Sequence, residues 1–260
     1  MNEIMNDILN RYQIFLLVFI RATGIFIITP IFSRRNVPNI LKIGFAFFIT
    51  LIVYNLLNLD IVIYDDLRMV GLIIQEFAIG LILGFIAYAF FTSLYVAGQI
   101  IDVQIGFGMV NVLDPQHNVQ LPITGNFYYI LAVLIFLLVN GHHTIITALV
   151  DSFQLIPIGE FTINVFVVNQ MIDIFGQVFI IGIKIAIPIV ATMFLANVLL
   201  GILARTVPQM NVFVVGMPFK IIVGLLVLIF TLPIIVPVFE YIYDNIFTQI
   251  HTFMRLISRG

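Results

Sequence analysis

The sequence has no cysteine, no tryptophan and only 4 histidines in 260 residues. Without cysteine there is no disulfide, thiolate metal ligand, iron–sulfur ligation or palmitoyl anchor. Charge is scarce as well: 11 Lys plus Arg and 13 Asp plus Glu make 9% of the chain, against about 25% in an average soluble domain. So few charges do not form a polar shell around 26 Phe and the long Ile, Leu and Val runs of a chain that is 62% hydrophobic. An ordinary water-soluble globule is thereby excluded. The formal net charge is -2 with no basic run, which excludes nucleic acid as a main partner. Glu3 and Asp7 precede Arg11, the opposite of the positive n-region of a secretory signal peptide, so the first apolar segment is expected to be retained.

What the sequence does have is apolar runs of helical length. A bilayer core of about 30 Å takes about 20 residues of helix, and only helices and closed barrels satisfy their backbone in hydrocarbon. The runs are continuous rather than alternating, which predicts helices over residues 14–32, 40–57, 69–101, 123–155, 171–203 and 219–239. In the tail, 240–260, Ile242, Ile246, Ile250, Met254 and Ile257 recur every three or four residues, the pattern of an amphipathic helix packed on a partner. The third run would be about 50 Å long and must break or leave the membrane. Asn140, Gly141, His142, His143 and Thr144 interrupt the fourth, which reads as a hairpin or broken helix. Pro188, Pro233 and Pro237 predict kinks in the last two runs. Residues 161–169 are β-prone but isolated. Lys and Arg are nearly balanced between alternate connections and do not orient the chain.

Charges within apolar runs cost about 2.5–3.5 kcal/mol at a helix centre on insertion scales, so they are expected to face protein or water. Arg21, Glu76 and Lys184 are such residues. They are expected to be buried charges that pair with one another or with a partner subunit to fix packing, or that serve a proton or ion relay; with two cations and one acid, Glu76 is expected to pair with Arg21 or Lys184. His142 and His143 are adjacent and point about 100° apart on a helix, so they are not the i, i+4 pair of a zinc site and read as turn residues. Asp102 and Asp114 flank Gly106 and Gly108 without an acid-protease motif. There is no GxSxG elbow and no phosphate loop, and no enzyme, metal site or cofactor is expected. Gly80 and Gly84 form a GxxxG, with Ala87 one turn on, which lets helix backbones approach closely.

Two connections carry most of the remaining information. Residues 106–122 (GFGMVNVLDPQHNVQLP) join the glycines Gly106 and Gly108 to the apolar Phe107, Met109, Val110, Val112 and Leu113, then to Asn111 and the turn-forming Asp114 and Pro115. Such a loop is either re-entrant among helices or a plug in a water-filled passage, where soft Met and Phe side chains adapt to what passes. Residues 205–218 (RTVPQMNVFVVGMP) set Gln209, Asn211 and Gly216 between Pro208 and Pro218, a turn between two long helices with polar groups available for docking.

With these motifs assembled, the sequence resembles the FliR/SctT family of type III secretion export-gate proteins. The resemblance spans nearly the whole chain. It rests on residues 21–38 with Pro30 and Pro38, on 98–109 (GQIIDVQIGFGM) through Asp114 and Pro115, on Gly141, His142 and His143 followed by Ser152, Phe153 and Pro157, and on Arg205, Pro208, Gln209, Asn211, Phe213, Gly216 and Pro218. Their order and spacing together are specific. The resemblance implies an all-α integral membrane protein whose long, broken helices and hairpins pack in a hetero-oligomeric export gate. It implies a non-enzymatic subunit of the inner membrane at the flagellar basal body, assembled with FliP and FliQ and adjoining FlhB and FlhA, through which unfolded flagellar proteins pass. It also implies a FliP-like part over 1–170, with 106–122 as the plug, and a FliQ-like hairpin over 171–260 with its tip at 205–218. A rival reading is a small-solute secondary transporter or channel using Arg21, Glu76 and Lys184 as coupling charges. Such transporters show repeated halves, and the halves here look different.

Overall fold

A computed structural model describes residues 2–30, 32–33, 37–56, 66–107, 122–162, 164–209 and 211–258. Among them are seven α-helices: α1 (Asn2–Ile28), α2 (Asn39–Leu56), α3 (Asp66–Ile105), α4 (Ile123–Leu138), α5 (Gly141–Leu155), α6 (Val165–Thr206) and α7 (Val212–Ser258). Five are long and apolar enough to cross a membrane, and α4 with α5 would make a sixth if counted as one broken span. The expected class, an all-α integral membrane protein, is the one observed.

The third apolar run does not break. At 1.5 Å per residue, the 40 residues of α3 extend about 60 Å, the 42 of α6 about 63 Å and the 47 of α7 about 70 Å. Each is about twice the hydrocarbon thickness. Helix α7 runs through Pro218, Pro233 and Pro237 and continues into the tail, so the expected amphipathic tail helix is its last 19 residues, 240–258. Ile246, Ile250, Met254 and Ile257 are buried within this chain rather than left for a partner. The β-prone stretch is instead the start of α6, where the Asn164 side chain accepts the Val167 N–H at 2.9 Å and caps the helix.

The chain folds as two compact units, neither of them a continuous segment. Residues 1–89, 136–174 and 244–260 form the first. On α1, Ile14, Leu17, Val18, Ala22, Ile25 and Phe26 recur at helical spacing and are buried, with Arg21 in the same stripe. Phe26 meets Phe32 and Phe45 edge-on at 5.2 and 5.0 Å, and Phe15 meets Phe47 at 5.6 Å, which joins α2 to α1. The GxxxG packs α3 on α1: a Cβ on Gly80 would lie 2.2 Å from the Arg21 carbonyl oxygen, and one on Gly84 2.7 Å from that of Ile25. At the predicted interruption, Asn140 adopts left-handed φ 58°, a conformation its short polar side chain tolerates, and α5 begins beyond it. Gly141 follows because the Phe136 ring occupies the space a Cβ would need.

Residues 90–135 and 175–243 form the second unit. There α3 and α4 meet backbone to backbone, since a Cβ on Gly98 would lie 2.1 Å from the Gly125 nitrogen. Tyr95 stacks on Tyr129 at 5.1 Å, and the Tyr243 hydroxyl donates to the Ala132 carbonyl at 2.5 Å. On α6, Ile181, Ile185 and Ile189 turn inward together with Gly182, which fits against Ser93 and Val96 of α3.

These contacts separate glycines by role. Gly80→Ala should lower the melting temperature of the detergent-solubilised protein, equivalent to about 1–3 kcal/mol of overpacking. Gly176→Ala on α6 has nothing within 4 Å of the added methyl and should be neutral or stabilising by up to about 1 kcal/mol. Equal melting shifts for the two variants would contradict the close α1–α3 packing.

Candidate functional site

Three groups of residues singled out in the sequence have distinct structural settings. The first is the pair of buried charges. Arg21 and Glu76 are both fully buried, and Arg21 Nε donates to Glu76 Oε2 at 2.5 Å. Two further donors of Arg21 go to α5 and its C-terminal cap, Nη1 to Ser152 Oγ at 3.1 Å and Nη2 to the Ile156 carbonyl at 3.0 Å. The guanidinium carbon also stands 3.9 Å from the centre of the Phe153 ring. A planar fork with several donors is what joins three helices at one point, and lysine has no equivalent geometry. Of the two cations the sequence offers Glu76, Arg21 is its partner; Ser152 and Phe153 stand in the sequence as motif residues, but nothing there connects them or Ile156 to the charges. Lys184 does not belong to this group. The expectation that it is a buried charge is corrected: α6 turns its other face inward, and Lys184 is exposed.

The second group is the glycine-bearing connection. Of its predicted residues, Gly106 and Phe107 are described, whereas Gly108, Met109, Val110, Asn111, Val112, Leu113, Asp114 and Pro115 lie outside the described residues. Gly106 ends α3 at φ 101°, a value L residues rarely adopt, with its N–H on the Asp102 carbonyl at 3.0 Å. Phe107 lines an apolar cavity of about 300 Å³ with Phe127, Leu225 and Leu228.

One turn before Gly106, the buried Asp102 carboxylate accepts the Thr124 backbone N–H at 3.2 Å and also the Thr124 hydroxyl. The last turn of α3 is thereby tied to the first turn of α4, which supplies one of the acceptors that a helix start lacks. The carboxylate thus joins the two helices that flank residues 108–121 in the sequence. The sequence shows Asp102 as a motif residue without a protease signature but not as a helix clamp, because its partner stands 22 residues away.

The third group is the turn between α6 and α7. Arg205 is exposed in the last turn of α6, where a cation complements the helix dipole. Pro208 and Gln209 are exposed in the turn, and the Asn211 side chain accepts the Val214 N–H at 3.3 Å to cap α7. Gly216 is buried with its Cα side against Leu200, Pro218 is exposed, and Phe213 lies in the first turn of α7. The structure brings this turn and the start of the glycine-bearing connection to one cavity of about 750 Å³, lined by Gln104, Gly106, Asn197, Gly216, Met217 and Lys220. Nothing in the sequence related these two segments. His142 and His143 have ring centres 4.3 Å apart, and among the described residues no cluster of three or more potential metal ligands occurs.

The fold and these settings define an integral membrane protein whose polar groups clamp helices together. A model of the family described as bacterial export proteins, family 1, matches residues 12–246. The chain is 37% identical to the flagellar biosynthetic protein FliR of Bacillus subtilis, covering 98% of this chain and 99% of that protein. It is 32% identical to FliR of Pectobacterium carotovorum over 97% of each chain. It is 30% identical to the Yop proteins translocation protein T of Yersinia pestis, over 80% of this chain and 82% of that one. The chain belongs to this family of bacterial export proteins, as an integral membrane component of a type III export apparatus.

Two outcomes test the clamps. Arg21→Met alone should cost about 3–5 kcal/mol by leaving Glu76 buried and unpaired, and Arg21→Met with Glu76→Met should cost less than the sum of the two singles. Melting curves of the three variants check this, and additive losses would contradict the pairing. Asp102→Ala should cost about 1–3 kcal/mol and hasten proteolysis within residues 108–121, with Asp102→Asn between it and the unaltered protein. Unchanged cleavage would show that the carboxylate does not hold the ends.

Proposed function

We propose that this chain is the FliR-type, non-enzymatic subunit of the flagellar type III protein export gate in the bacterial inner membrane. With FliP and FliQ, and adjoining FlhB and FlhA, it forms the channel through which unfolded flagellar subunits cross. Residues 1–170 supply a FliP-like part and residues 171–260 a FliQ-like hairpin, and residues 106–122 plug the passage.

Family membership supports the export role, and the observation that carries the gate reading is helix length. Helices about twice the hydrocarbon thickness, with Phe175, Phe179, Phe194, Ile222, Ile229 and Phe230 exposed along them, need apolar cover beyond what lipid provides. Sister helices of a hetero-oligomer provide it. The plug reading draws support from Asp102, which ties together the helices that flank the connection, and from the apolar sequence of residues 107–113. Apolar contacts block ions at rest yet yield to many incoming chains. The solute-transporter reading loses its main motive, because Arg21 is committed to three acceptors and an aromatic ring.

Deletion of residues 107–113 should raise ion leakage through the assembled complex in reconstituted vesicles. Unchanged leakage with the complex intact would reject the plug.

A further inference from the structure

Lys184 lies nearly midway along α6, and no other charged residue occurs between Asp173 and Arg205. A hydrocarbon-spanning stretch of about 20 residues placed between those two charges contains Lys184 unless it is confined to residues 185–204. Around it, α6 divides sharply by face. Ile181, Gly182, Ile185, Ala186 and Ile189 are buried, whereas Ile180, Ile183, Lys184 and Ile187 are exposed. Lys184 makes no hydrogen bond or ion pair among the described residues. An ammonium set in an isoleucine face is unsuited to lipid, where its insertion cost is unrelieved. It is equally unsuited to a water-filled passage, since a wet wall would not carry Ile180, Ile183 and Ile187 around the charge. A face that is apolar except for one cation fits a second apolar surface that carries one anion.

We propose that the outer face of α6 docks on a membrane-embedded helix of another export-apparatus subunit, which presents an Asp or Glu carboxylate to Lys184. This rests on the hetero-oligomeric reading and adds to it a face and a partner chemistry. The three isoleucines supply packing area, and the ion pair fixes axial register, because sliding either helix by one turn strands both charges in an apolar contact.

The test uses the full chain co-expressed with the other subunits of the apparatus, with co-purification in mild detergent as the readout. Lys184→Leu should insert normally but reduce the recovered complex at least about tenfold, Lys184→Glu should reduce it further, and Lys184→Arg should stay near the unaltered level. Treatment of the unaltered complex in membranes with a lipid-soluble carbodiimide should couple the Lys184 amine to an acidic side chain of another subunit. Full recovery of complex with Lys184→Leu would overturn the proposal, as would coupling of Lys184 to a carboxylate of its own chain. If the unaltered chain is stable and monomeric in the presence of the other subunits, the hetero-oligomeric reading itself fails, a result distinct from loss of the ion pair alone.

Discussion

A helix in hydrocarbon satisfies its own backbone but not its charges, and it spans only about 20 residues before reaching water. The rest of the structure depends on that constraint. Helices α3, α6 and α7 each continue for 40 residues or more, so a share of each lies beyond the hydrocarbon, and on α6 the 31 residues from 174 to 204 carry a single charge. Apolar side chains outside lipid are stable only against other protein. The outward faces of α6 and α7, rich in Ile, Leu and Phe, therefore imply neighbours, and the length of these helices carries functional information.

Within the chain, buried polar groups are few, and some of them clamp helices together. Two acids on α3 do different work: Glu76 receives Arg21 in the first unit, and Asp102 holds the start of α4 in the second. In both places the charge bridges helices that are already in close contact, at Gly80 and Gly84 in one and at Gly98 and Gly125 in the other. Glycine brings the backbones together, and the charged or hydroxyl-bearing side chains then fix which turn faces which. This combination suits a protein that has little hydrophobic driving force for helix association within lipid.

Much of this was legible in the sequence. Composition and run length gave helices in a membrane, the polar cluster at 140–144 gave the break between α4 and α5, and the GxxxG gave the contact between α1 and α3. Glu76 was matched to one of two cations, and Arg21 is the one. What was not legible depended on rotation about a helix axis or on distance along the chain. Lys184 was grouped with the buried charges because an apolar run looks alike from every side until its neighbours are known. Asp102 had no visible partner because Thr124 lies beyond the intervening loop. The β-prone but isolated stretch at 161–169 leads into α6 because Asn164 as a helix cap outweighs the local preference of Val and Phe for strands. The tail was expected on a partner because its periodicity reveals an apolar face but not what covers it.

The absence of native cysteine makes a direct measurement of cover practicable. Single cysteines placed at the outward positions of α6 and α7, from Phe175 to Leu203 and from Val214 to Ile234, can be given a nitroxide label in detergent, and the access of molecular oxygen, which concentrates in lipid, to each label can then be measured in vesicles with and without the other subunits of the apparatus. Loss of oxygen access at most of these positions when the other subunits are present, with access restored in their absence, is the predicted result. Identical oxygen access in both sets of vesicles would contradict the account, since the apolar faces would then belong to lipid alone.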